Sequence, residues 1–264
     1  MAEESRFPAR GGDFGCRARY RTPGQEGSGT VLGFVRRVLG RWRRGRNREP
    51  GDSVSPEEAR RRARAFWRRW EELLPLVGSA LGDGTPHRVD HQLAEAVAEL
   101  HPGLNFSIER GTEAVYALVL TSQADPELRP YTDAWKAEAP EPDSLWEYHD
   151  AVPPVPDPTE VTVNLHGKGY PLGQVRVAAQ YDESRQLVDV AVYHPGFAEL
   201  EAAEREALTF LPLHATLGER LAADRLGRVE TAVVPPEGAV DLLSFRERVR
   251  ALAGQHGSGR DAGG

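Results

Sequence analysis

Apolar residues fall at helical spacing in some stretches of the chain and in strand-like runs in others. Residues 55–74 open with Ser55-Pro56-Glu57-Glu58, in which Ser55 is placed to cap, Pro56 suits the first helical position and Glu58 completes a capping box. Phe66, Trp70, Leu73 and Val77 follow on one face, with Trp67 and Leu74 beside them. A second helix is expected over residues 90–100, carrying Leu93, Val97 and Leu100. Residues 104–109 alternate and residues 115–121 are almost wholly apolar, so both read as strands, joined by a turn at residues 110–113. A helix over 126–138 carries Leu128, Tyr131 and Trp135, and the proline-rich residues 153–158 read as a stiff connector. Strands are expected at 160–165, 174–181 and 187–193, the last two flanking a hairpin loop at 182–185. A helix over 198–213, a strand over 227–234 and a helix over 242–252 complete the pattern. Helices that alternate with pairs of antiparallel-looking strands predict a single α+β domain over residues 55–253, an antiparallel-rich sheet packed by helices.

Upstream of this domain lies a different kind of sequence. Residues 1–54 form an Arg-rich arm, in which residues 1–30 mix glycine with Arg, Ser and Pro and read as disordered. Val31 can be encoded by an alternative start codon, so an equal reading makes residues 1–30 an upstream extension. Residues 31–48 place Val31, Phe34, Val35, Val38 and Trp42 at three- and four-residue spacing, which predicts an amphipathic helix over 31–42. Arg36, Arg37, Arg41, Arg43 and Arg44 lie among them, and the stretch holds no acid. The Gly-rich residues 254–264 read as a disordered tail.

Composition sharpens this division. The 264 residues carry a net charge of -7. Residues 1–70 hold 18 Arg against 8 acids, a balance of +10, and the remainder stands at -17. A basic arm on an acidic body points to a polyanionic or membrane surface as one partner. The acidic body repels DNA, so nucleic-acid binding would belong to the arm alone. Lysine occurs only at Lys136 and Lys168, and such Arg preference also reflects a high-GC bacterial genome. No apolar run reaches the roughly 18–20 residues of a membrane span, and the N-terminus carries no secretory signal pattern, so the expected compartment is the cytoplasm. The single cysteine, Cys16, excludes an internal disulfide framework and a multi-cysteine zinc site.

Candidate chemistry is sparse. Dinucleotide, Walker, nucleophile-elbow and zincin patterns are absent. His87 and His91 have metal-ligand spacing, but read better as solvated residues at a helix entry. His149, His166 and His194 are the candidate residues for an acid/base site, His149 beside Asp150 and His166 before Gly167-Lys168-Gly169. Each also has a local structural reading, as does the tryptophan set Trp67, Trp70, Trp135 and Trp146, which reads as core. No catalytic, cofactor or metal residue is assigned.

One resemblance runs through these pieces. Phe66-Trp67-Arg68-Arg69-Trp70 on the first helix, Trp135 on a later one, Val192-Tyr193-His194-Pro195 at a strand end and Leu217-Gly218-Glu219 after the late helix follow in order. That order, over residues 60–235, resembles a loosely defined set of uncharacterised bacterial proteins with an FWxWF-type N-terminal helix and a late helix ending in LGE. The resemblance implies an α+β domain and transfers no catalytic residue. The expected function is therefore a non-enzymatic cytoplasmic accessory protein binding a protein or small ligand, its arm touching anionic membrane through residues 31–48 at the inner face. The alternatives are a small hydrolase or transferase using His149, His166 or His194, and nucleic-acid binding through the arm.

Overall fold

Five helices and nine strands make up the described part of the chain, an α+β domain. The computed structural model describes residues 19–20 and 54–254. The expected amphipathic helix of the arm and residues 255–264 of the expected tail lie outside the described residues, while Gly254 ends the last helix.

Helix α1 (Pro56–Gly82) begins as its cap predicts: the Ser55 hydroxyl accepts from Glu58 N–H at 3.2 Å. The Glu58 carboxylate, however, turns outward to Arg61 and Arg62. The helix runs past Leu74 and through Pro75, because Val77 and Ala80 continue its buried face beyond the proline. Burial of that stripe outweighs the lost hydrogen bond at Pro75. Helix α2 (Asp90–Leu100) follows a short 3₁₀ turn and has the predicted bounds.

Strands β1 (Arg19–Tyr20), β2 (Asn105–Arg110), β3 (Tyr116–Thr121) and β4 (Trp146–His149) form the first sheet in that order. Strands β2 and β3 are an antiparallel hairpin. Strand β4 returns parallel to β3 after α3 (Arg129–Ala137), the crossover that parallel pairing requires. Arg19–Tyr20 falls within the stretch read as disordered and pairs parallel with Ser107 and Ile108.

Strands β5 (Thr162–Leu165) and β6 (Lys168–Pro171) make a second, two-stranded sheet. Strands β7 (Arg176–Asp182), β8 (Leu187–Tyr193) and β9 (Leu226–Thr231) make a third. Strand β9 lies parallel to β8, reached through α4 (Ala202–Arg225), and α5 (Leu242–Gly254) closes the domain. The strands thus divide among three small sheets instead of joining one, and antiparallel hairpins alternate with parallel crossovers. Strand β9 also stops at Thr231: Val233 and Val234, expected in the strand, stand 70% and 66% exposed in the loop that follows.

Most buried hydrophobic residues fall into two clusters; Ala117 and Val119 of β3 and Ala207 of α4 lie outside both. The first gathers Phe66, Trp67, Trp70, Leu93, Phe106, Trp135, Trp146 and Tyr148 from α1–α3 and β2–β4. Its aromatic rings interlock: Trp67 stacks on Trp135 at 4.6 Å, and Trp70 meets Trp146 edge-on at 4.9 Å. The Trp67 indole N–H also donates to the Trp135 carbonyl at 2.8 Å. All four tryptophans are core, as their helical spacing and apolar neighbours predict. The second cluster gathers Val177, Val190, Val192, Phe197, Leu213, Phe245 and Val249 from β5–β9, α4 and α5.

Candidate functional site: two anchored carboxylates

Polar groups concentrate at two carboxylates. Glu219 sits on α4, where the backbone of Gly218 takes φ 74° and ψ 172° and breaks the helical path. Leu217-Gly218-Glu219 therefore does interrupt a helix, as its glycine predicts, but the helix resumes and runs to Arg225. The break frees carbonyls that other elements capture. Ala215 C=O accepts from Val155 N–H at 2.8 Å, and Thr216 C=O accepts from the Arg246 guanidinium at 2.7 Å. The same guanidinium donates to the Pro156 carbonyl at 2.8 Å, which fastens the proline-rich connector over the break. A Cβ at position 218 would stand 2.8 Å from the Pro154 ring, so both the positive φ and the close crossing require glycine.

Glu219 then points back to the first hydrophobic cluster. One carboxylate oxygen accepts from Ser122 Oγ at 3.1 Å and Ala124 N–H at 2.9 Å. The other accepts from Thr121 Oγ1 at 2.5 Å and Val152 N–H at 3.0 Å. Four donors occupy this buried carboxylate, so its capacity to accept is filled by the protein itself. Gln123 and Ala124 beside it have φ of 54° and 60°, left-handed backbone that residues with a Cβ adopt at a cost. Arg220 bonds Asp150 at 2.6 Å and also meets Asp133. Burial alone would lower its pKa, and the neighbouring acids Asp133, Asp150 and Glu219 more than reverse that, so its charge is fixed.

Glu147 on β4 is the second anchor. Its carboxylate accepts from the backbone N–H groups of Thr112, Glu113 and Ala114 at 2.8–3.0 Å, wrapping the β2–β3 turn around itself. Burial raises its pKa, but the His149 hydrogen bond at 3.0 Å and the three backbone donors outweigh that and hold it down to about 2. The turn floors an open cleft of 630 Å³ lined by Arg110, Thr112, Tyr116 and Ser144 among others. Val115, 53% exposed, lines the cleft, and Leu145, 47% exposed, follows Ser144 of the lining, its carbonyl accepting from Tyr116 N–H.

The depressed pKa of Glu147 makes its contribution acid-labile. A carboxyl at about 2 when folded, against an ordinary 4.5, stabilises the fold by up to about 3 kcal/mol. That contribution is complete above about pH 5 and fades as pH falls toward 2. Denaturant titrations across pH 5 to 2 should show this loss in the parent protein and a flatter profile in Glu147→Gln.

The three candidate histidines do not share a site. His149 pairs with Glu147. His166 and Gly167, at φ 49° and 80°, form the tight β5–β6 hairpin turn, and His166 meets Glu204 of α4. The hairpin's Lys168 meets Glu199 in the same way. His194 is buried: its Nδ1 accepts from Gly196 N–H at 3.0 Å, which leaves Nε2 to donate to the Pro171 carbonyl at 3.1 Å. Desolvation lowers its pKa, and it serves as the cap of a 3₁₀ turn. His91 is solvated beside Glu95, as its sequence position predicts. Among the described residues no group of three or more His, Cys, Asp or Glu side chains is placed to hold a metal ion, and no helix is long and apolar enough to cross a membrane.

Sequence reasoning passed over Glu147, and it read Glu219 only as part of a helix-ending turn, without the donors it gathers. Gly218 marked Glu219 as following a helix break; nothing local marked Glu147, whose donors come from a turn more than thirty residues away. No family model, no curated protein and no solved structure matches this chain.

Proposed function

We propose that the chain is a non-enzymatic accessory protein of the bacterial cytoplasm, belonging with the FWxWF/LGE proteins it resembles. Its acidic body binds a protein or small-molecule partner, and its Arg-rich arm touches acidic surfaces. The observation that carries this reading is the separation of charge along one chain, +10 over residues 1–70 against -17 over the rest. Two further features support it. Glu147, Glu219 and His194, the polar groups best held in the body, are spent on backbone donors and carbonyls. Val115 and Leu145 beside the cleft offer apolar surface to a partner.

The arm reading has a direct test. Arginines near an anionic leaflet contribute about 1 kcal/mol each, and the contact decays within a Debye length. The full chain should sediment with phosphatidylglycerol vesicles at low salt, dissociate at high salt and ignore phosphatidylcholine vesicles. Trp42 emission should shift blue on binding, and Trp42→Phe should abolish the shift, because the other four tryptophans are already buried. Replacing Arg36, Arg37, Arg41, Arg43 and Arg44 together with alanine should abolish sedimentation. Absence of salt-sensitive binding would remove the membrane reading, and binding to DNA but not to vesicles would replace it with the nucleic-acid alternative.

A further inference from the structure

Extensive packing between helices and strands stays within one half of the domain or the other. Residues 54–149 surround the tryptophan cluster and residues 161–254 surround the second cluster, and no buried hydrophobic residue belongs to both. Hydrogen bonds and ion pairs join the halves, on the face of β3 where Ala117 and Val119 are also buried outside both clusters. Glu219 reaches Thr121, Ser122 and Ala124; Arg220 reaches Thr132 and Asp133; Arg129 pairs with Asp224 at 2.6 Å. Water can take over hydrogen-bond partners when the halves part, so these contacts resist opening less than a shared hydrophobic cluster would.

The connector tells which side moves. Asp150 is bonded to Arg220, Val152 to Glu219 and Val155 to Ala215, so residues 150–156 belong mechanically to the second half. His149 is the last residue of β4 and pairs with Val119 in the first sheet. The boundary between the two sets of bonds therefore falls at residues 149–150. If the halves part there, Glu219 keeps Val152 N–H and loses the three donors of the 121–124 loop. That loop holds consecutive left-handed residues, Gln123 and Ala124, and Ala124 N–H is aimed at Glu219. Its conformation is stabilised from the opposite half, so release allows it to relax.

We propose that the domain opens as two lobes about residues 149–150, with Glu219 as the latch and the 121–124 loop as the catch that holds it. The proposal concerns the body alone and stands whether or not the arm binds membrane. An opening motion of this kind is a hinge with polar closing contacts, and its closed state is set by the latch.

Spin labels on the exposed helical positions Glu71→Cys and Glu247→Cys, in the full chain carrying Cys16→Ser, report the distance between lobes. The parent protein should give one principal distance. Glu219→Ala should add a longer, broader population, and amide exchange at Ala124 should accelerate at least tenfold more than at Leu118 and Val192. The paired change Thr121→Val and Ser122→Ala, which leaves Glu219 in place, should produce the same longer population in smaller amount. An unchanged distance and unchanged Ala124 protection in Glu219→Ala would overturn the latch. Equal acceleration at Ala124, Leu118 and Val192 would overturn it too, since exchange would then follow unfolding of the fold and not parting of the lobes. Failure of the paired change to lengthen any distance would overturn the role of the loop.

Discussion

Replacing Trp70 with alanine should destabilise the protein by about 3–5 kcal/mol, the range for deleting a buried large aromatic side chain. Trp70 is 1% exposed on the buried face of α1, with Trp146 edge-on at 4.9 Å and Tyr148 at 6.4 Å. Truncation removes the ring's apolar burial and leaves a cavity between α1 and β4 that neighbouring rings, already interlocked, can fill only in part. Equilibrium unfolding in urea measures the effect. A loss below about 1 kcal/mol would place Trp70 outside the core, and the exposed Arg68→Ala two residues earlier should stay within about 0.5 kcal/mol of the parent.

The same helix shows what the sequence makes legible. The Phe66, Trp70, Leu73 and Val77 stripe and the Ser55 cap are local patterns, and both appear in α1 as read. The β2–β3 and β7–β8 hairpins are likewise local, each being two apolar runs about a short turn. Strand β4 was missed because four residues of alternating Trp, Glu, Tyr and His give too little periodicity. Strand β6 was missed because Lys168-Gly169 reads as turn, and only pairing with β5 makes it a strand. Helix α4 extends twelve residues past the expected end at 213 because the arm of chain over Gly218 satisfies a break that would otherwise stop it. The anchored carboxylates were illegible for a related reason: Glu219 takes its donors from residues 121–124 and 152, and no spacing rule links positions that far apart.

Glu219→Ala should cost about 3–5 kcal/mol, comparable to loss of the tryptophan. Removing the carboxylate strands two backbone N–H groups and two hydroxyls at the contact between the hydrophobic clusters, and each unsatisfied buried group costs about 1–3 kcal/mol. The hydroxyls can turn to other acceptors, which keeps the total at the lower end of that sum. Glu219→Gln is nearly the same size and should still cost about 2 kcal/mol. In either orientation of the amide its NH₂ faces a backbone N–H, that of Ala124 or that of Val152, and two donors cannot bond each other. Thr121→Val removes one of the four donors and should cost about 1 kcal/mol.

The central claim is that one anchored carboxylate joins two hydrophobic clusters into a single cooperative domain. The four tryptophans of the described residues, Trp67, Trp70, Trp135 and Trp146, all lie in the first cluster, so their emission follows that half while far-ultraviolet circular dichroism follows both. Thermal unfolding of the parent protein and of Glu219→Ala, each followed by both signals, is the most direct measurement. The account predicts coincident transitions in the parent, and in Glu219→Ala a fluorescence transition separated from the second step seen by circular dichroism. A Glu219→Ala protein with one shared transition at the parent's temperature would contradict it.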